Sequence, residues 1–101
     1  MKPIHVGLLG IGTVGGGTYA VLQRNAEEIT RRAGRPIQIS IVADKDCERI
    51  RQITGGSCRM TDDAFAVVSD PEVDIIVELI GGYGIARELV LQAIANGKHV
   101  V

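Results

Sequence analysis

The sequence predicts an α/β domain built on a doubly wound parallel sheet. Three observations carry that prediction. Short apolar runs of strand character alternate with segments of helical period along the whole chain. A glycine turn, Gly10-Ile-Gly-Thr-Val-Gly15, joins the first apolar run to the first helical one. The 101 residues are 46% hydrophobic but only 3% aromatic and lack Trp, so the core must be Ile, Val, Leu and Ala, which suits buried parallel strands covered by helices. Strands alternating with helices at this spacing imply right-handed crossovers, with an expected strand order of 3-2-1-4-5.

The first strand is Ile4–Leu9, apolar on both faces. A helix follows from about Thr13 to about Ala33, in which Val14, Thr18, Val21, Leu22 and Ile29 keep helical spacing and are expected to face the sheet. Arg24, Glu27, Glu28, Arg31 and Arg32 form its outer face, and Glu27–Arg31 and Glu28–Arg32 are i,i+4 pairs in the favourable order. Gly34 stops this helix and Pro36 prevents its resumption. Ile37–Ala43 is the second strand, with Ile37, Ile39 and Ile41 alternating.

A short helix over Asp46–Ile53 ends near Gly55-Gly56, and residues 57–60 suggest a brief third strand. Thr61 or Asp62 is placed to cap a helix through about Val68, and Asp70-Pro71 reads as a turn. Val73–Ile80 is a strongly apolar fourth strand, broken by Gly81-Gly82. The last helix runs from about Ile85 to Asn96, apolar at Ile85, Leu89, Ala93 and Ile94, with Gly97 as its C-terminal cap. Lys98–Val101 begins a fifth strand. Buried strands do not usually finish a chain, so an end within strand five predicts a single domain, residues 1–101, cut from a longer protein.

Charge and composition narrow the function classes. The net charge is −1, and the densest basic cluster, Arg31, Arg32 and Arg35, lies at a helix end where it complements the dipole. Nucleic acid is not the expected partner. No apolar run approaches the ~20 residues of a membrane span, and Pro3 and His5 interrupt any signal-peptide pattern. Cys47 and Cys58 lack metal-ligand spacing and read as ordinary thiols of a reducing, cytoplasmic compartment. His5 and His99 have no ligand partner at useful spacing, and no metal site is expected. There is no serine elbow, P-loop lysine or pair of catalytic carboxylates.

The glycine turn carries the chemistry. A tight turn between strand and helix is what a dinucleotide pyrophosphate needs: Gly10 permits the turn, Gly12 lets backbone approach the phosphates, and Gly15 lets the helix pack on the strand. The helix start then offers unpaired N–H groups and a partial positive charge to the anion. The competing reading is a glycine-rich turn that only packs closely. Gly16 and Gly17 follow at about 1 kcal/mol each against Ala, which close packing or ligand approach would explain.

Two further segments fall at the carboxyl ends of strands, where such sheets bind ligands. In Val42-Ala-Asp-Lys-Asp46, Asp44 suits the ribose hydroxyls of NAD, whereas Lys45, helped by Arg49, suits the 2′-phosphate of NADP. A solvated acidic–basic turn is the alternative for both residues. In Glu78-Leu-Ile-Gly-Gly82, Gly81 and Gly82 leave room for the nicotinamide ribose. Glu78 is a carboxylate in an apolar strand, either facing the site or paired near the strand end.

Taken together, GLLGIGTVGGG at 7–17, NAEEITRRAGRPI at 25–37, VAD at 42–44, VELIGGY at 77–83 and ANGKHVV at 95–101 resemble the N-terminal part of homoserine dehydrogenase over essentially the whole chain. That family's Rossmann-type domain holds NAD or NADP, and the family interconverts aspartate 4-semialdehyde and homoserine on the route to threonine and methionine. The resemblance implies cofactor contacts at Gly10, Gly12, Thr13, Val14 and Gly15, at Ala43 and Lys45, and at Gly81 and Gly82. Some relatives carry an arginine where Lys45 stands and use it for the NADP phosphate. It also implies that the lysine touching cofactor and substrate, and the substrate and dimerisation region, lie beyond Val101. The chain is therefore expected to hold the coenzyme without catalytic residues of its own, as part of a homodimer or larger assembly. Two other readings share many features: a dehydrogenase of the glucose–fructose oxidoreductase type, and a non-catalytic NAD(H)-sensing regulatory domain.

Overall fold

In the computed structural model the backbone is described for residues 3–11, 13–56, 58–80 and 84–101, and side chains for the same residues except 13–16, 18, 22, 26, 27, 29 and 33. Among them, β1 (Ile4–Leu9), β2 (Ile37–Ala43), β3 (Arg59–Thr61), β4 (Ile75–Glu78) and β5 (His99–Val100) form an all-parallel sheet in the order β3-β2-β1-β4-β5. Four helices connect them: α1 (Thr13–Ala33), α2 (Cys47–Thr54), α3 (Ala64–Val68) and α4 (Ile85–Ala95). Parallel strands and expected order both hold.

The core lies in two layers, one on each face of the sheet. Val6, Leu8, Ile39 and Val42 pack with Ile11, Tyr19 of α1 and Ile50 of α2. Leu9, Ile41, Ala43 and Ile76 pack with Val67 and Val68 of α3 and Leu89 and Ala93 of α4. Each fully buried Leu or Ile contributes about 1.5–3 kcal/mol. At Gly7, α3 packs tightly on β1: a Cβ there would stand 2.5 Å from Cγ1 of Val67. Gly17 is the opposite case: it is exposed, and among the described residues no atom lies within 4 Å of a Cβ placed there.

The expected alternation of Ile37, Ile39 and Ile41 is corrected by a bulge. β1 pairs Val6 with Ile39 but Gly7 with Ile41, which leaves Ser40 as an extra residue in β2. One extra residue reverses the facing of everything after it. Ile39 therefore faces α1 and α2, while Ile41 faces α3 and α4. His5 Nδ1 lies 2.5 Å from Ser40 Oγ, across the bulge.

Helix faces also differ from the periodic reading. Among the described side chains of α1, Tyr19 is buried, whereas Val21 is 45% exposed. Two helical steps turn about 200°, so a helix that sends residue 19 inward carries residue 21 to its far side. Val14, Thr18, Leu22 and Ile29 have side chains outside the described set, as does Glu27. Glu28 pairs with Arg32 at 3.1 Å as expected, and Arg31 also goes to Glu28. In α4 the buried stripe is Ala86, Leu89 and Ala93; Ile85 and Ile94 flank it and are exposed.

Strand and helix ends shift by a few residues. Asp46 precedes α2 as its cap, accepting from Arg49 N–H at 3.0 Å, so the helix starts at Cys47. Asp63 caps α3, accepting from Phe65 N–H at 3.0 Å, because Thr61 is still paired in β3. β3 accordingly ends one residue later than expected and begins at Arg59, and Ser57 is outside the described residues. β4 is shorter than Val73–Ile80, although Asp74 N–H to His5 O at 2.8 Å and Leu79 N–H to Leu9 O at 2.8 Å extend its contact with β1.

Candidate functional site

The strand order reverses between β1 and β4, since β1 is followed through α1 by β2 on one side and β4 lies on the other. A crevice opens at the carboxyl ends of the strands at such a switch point. Here it is a groove of about 440 Å3, sized for a nucleoside-scale ligand. Gly10 stands behind β1, Ala43, Asp44 and Lys45 behind β2, Asp62 to Phe65 behind β3, and Leu79 and Ile80 behind β4, with Ile85 opening α4.

Gly10 makes this groove. Its φ is +89°, a conformation that favours glycine, and its N–H donates to Ala43 O at 2.7 Å. A Cβ on it would lie 3.1 Å from Ile80 Cγ1 and 3.2 Å from Ile80 N. The turn thus bends sharply while pressed against the chain leaving β4.

Asp44 holds the next residue of the turn. Its Oδ2 accepts from Ile11 N–H at 2.8 Å and its Oδ1 from Asp46 N–H at 3.0 Å. The half-buried carboxylate therefore ties the glycine turn to the end of β2. Each of its oxygens keeps a further lone pair, so it remains an acceptor for a hydroxyl donor. Asp44 N–H in turn donates to Thr61 O at 3.0 Å, which brings the residues after β3 to the same rim.

The groove joins Gly10, Ala43, Asp44 and Lys45 as the sequence suggested. Lys45 is exposed there, and Arg49, also exposed, is not among the residues that line it. Gly12, Gly81 and Gly82 lie outside the described residues; Thr13, Val14 and Gly15 form the first turn of α1, with side chains outside that description. Glu78 ends β4 half-buried, its N–H donating to Val101 O at 3.1 Å.

Sequence reasoning missed the third wall: Asp62, Asp63 and Phe65, with Leu79, Ile80 and Ile85 opposite. Phe65 is 39% and Ile80 43% exposed, large apolar groups turned toward open space. Ending β3 at Thr61 would have revealed them, because residues 62–65 then fall at a carboxyl end. An acceptor carboxylate beside an apolar wall fits a nucleoside, whose ribose donates hydroxyls and whose base is flat and apolar on its faces.

The remaining described titratable groups are not among the residues lining this groove. Cys47 and Cys58 are free thiols, and burial pushes the Cys58 thiol up, offset in part by a hydrogen bond with Thr54. Among the described residues no cluster of His, Cys, Asp and Glu could hold a metal ion, and no helix is long and apolar enough to cross a membrane.

Comparison with known proteins agrees with this geometry. A family model described as "Homoserine dehydrogenase, NAD binding domain" matches residues 10–101. A homoserine dehydrogenase of Methylobacillus glycogenes is 74% identical over all of this chain, which covers 24% of that protein. The crystal structure of a homoserine dehydrogenase from Thiobacillus denitrificans superposes with a TM-score of 0.91 at 64% identity, over 99% of this chain and 23% of that one. One from S. aureus gives 0.87 at 31% identity, over 99% of this chain and 26% of that one. The chain thus spans about a quarter of the length of these relatives. A family match that begins at Gly10 itself, with identity sustained along the whole chain, shows that it belongs to the NAD-binding domain family of homoserine dehydrogenase, whose coenzyme is NAD or NADP.

Proposed function

We propose that this chain is the coenzyme-binding unit of an NAD(P)-dependent enzyme that interconverts aspartate 4-semialdehyde and homoserine, in threonine and methionine biosynthesis. The observation that carries the reading is the groove at the switch point, where Gly10, Asp44 and Ile80 meet within a match to this family. The bound coenzyme supplies the hydride acceptor or donor. The chain's own part is to bind and orient it: Gly12, Thr13, Val14 and Gly15 at the pyrophosphate, Asp44 at the adenosine ribose, Gly81 and Gly82 beside the nicotinamide ribose. Ala43 and Lys45 complete the rim, and Phe65 and Ile80 offer the base an apolar wall.

In this reading residues 1–101 form one domain, and the substrate and dimerisation parts correspond to the remaining length of the relatives. The enzyme works in the cytoplasm as a homodimer or larger, with no nucleic-acid or membrane partner. Mixed with homoserine and either coenzyme, the chain alone is expected to bind the coenzyme and to give no absorbance of its reduced form. Turnover by this chain would overturn the division of labour; failure to bind either coenzyme at millimolar concentration would overturn the whole reading.

A further inference from the structure

A doubly wound parallel sheet carries helices on both faces, and its strands are apolar on both. One part of this sheet departs from that rule. Gly7 meets Val67 of α3, so His5, two residues earlier in β1, points to the same face. Ile37, Ile39 and Met60 pack in the layer of α1 and α2, which turns their neighbours Gln38 and Arg59 to the α3 face as well. With five residues, α3 is only about 7.5 Å long. Beside it a groove of about 460 Å3 stays open on the sheet, and His5, Gln38, Ser40, Arg59 and Glu72 are among the residues that line it.

The bulge in β2 belongs to this groove. Its extra residue, Ser40, brings a hydroxyl within 2.5 Å of His5 Nδ1. Bulges re-aim side chains, often beside binding sites, and this one adds a polar pair where a covered strand would place an apolar residue. Arg59 and Glu72 supply opposite charges. Arg59 donates through Nη2 to Asp70 at 2.7 Å, and a guanidinium has further N–H groups for a second acceptor. Glu72 is exposed, and its N–H, donating to Asp70 at 2.9 Å, fixes its place on the turn before β4.

We propose that this groove is a second ligand site and that it takes the zwitterion of a free α-amino acid. The carboxylate meets Arg59, the ammonium meets Glu72, and the side chain lies over the His5–Ser40 pair. A ligand of one sign would be repelled by one of the two charges, whereas a zwitterion satisfies both. Gln38, Ser40 and the second ring nitrogen of His5 offer hydrogen bonds to a polar side chain. The groove shares no lining residue with the coenzyme groove, so the two sites stand or fall separately.

The test follows the backbone amide signals of the chain during titration with three probes. These are L-homoserine, 4-hydroxybutyrate, which lacks its ammonium, and 3-aminopropanol, which lacks its carboxylate. L-homoserine is expected to shift His5, Gln38, Ser40, Arg59 and Glu72 and to bind about fivefold tighter or more than either analogue, since one close charge pair in water is worth about that much. Glu72→Gln, at an exposed position, should weaken L-homoserine by about fivefold and leave 4-hydroxybutyrate no weaker. Ser40→Ala should weaken L-homoserine while the signals of Gly10 and Asp44 stay in place. Equal response to the three probes, no response at tens of millimolar, or a Glu72→Gln chain that binds L-homoserine unchanged would overturn the site. Shifts confined to Gly10 and Asp44 would overturn it too, by placing the amino acid in the coenzyme groove.

Discussion

Gly10 and Asp44 show how single residues build the groove. Gly10 is needed twice, for its positive φ and for the space against Ile80. Gly10→Ala should therefore cost about 1–3 kcal/mol from the backbone alone, read as a lower denaturant midpoint, and should weaken coenzyme binding because the turn can no longer close. An unchanged midpoint would contradict the geometry. The glycine was legible from its place between an apolar run and a helix. The grip of Asp44 on Ile11 N–H was not, because a side chain closing onto backbone 33 residues away leaves no local pattern. Lys45 was legible as a residue near the site; that Asp62 and Asp63 share its groove was not, because it depends on where β3 ends.

At the scale of elements, periodicity found each strand and helix but misjudged some faces. The bulge at Ser40 is invisible to alternation, since Ile39 and Ile41 look equivalent in sequence and face opposite layers. Ile85 and Ile94 are as apolar as Leu89, yet α4 buries the stripe of Ala86, Leu89 and Ala93, whose small residues allow close approach. The turn from α3 to β4 carries a pH-sensitive link. Asp70 accepts from Glu72 N–H at 2.9 Å and from Arg59 at 2.7 Å, tying the turn to β3. The Glu72 N–H foremost, and the Arg59 guanidinium with it, hold its carboxyl below the usual carboxylate range. A folded-state value below the unfolded one contributes stability that is full above the unfolded value and is lost as pH falls through the folded value. The wild-type chain should therefore lose this contribution below about pH 4. Asp70→Asn should be less stable than wild type at neutral pH, with the difference shrinking as the medium is acidified; urea midpoints across that range check it. A difference independent of pH would remove the ionised carboxylate as its cause.

For the whole molecule, strand order and parallel sense follow from the alternation of elements and the handedness of crossovers, and both were legible. The position of the site follows in turn, because the order reverses between β1 and β4 and leaves the groove there. Its third wall was harder to read because β3 is only three residues long and sets the register of Asp62 to Phe65. The central claim is that this groove holds the dinucleotide. Titration with NAD, followed by the backbone amide signals of the chain, tests it most directly. Shifts are predicted to gather at Gly10, Ile11, Asp44, Lys45 and Asp62 to Phe65. Shifts gathered instead in the groove of His5, Ser40 and Cys58, or none at millimolar NAD, would contradict it.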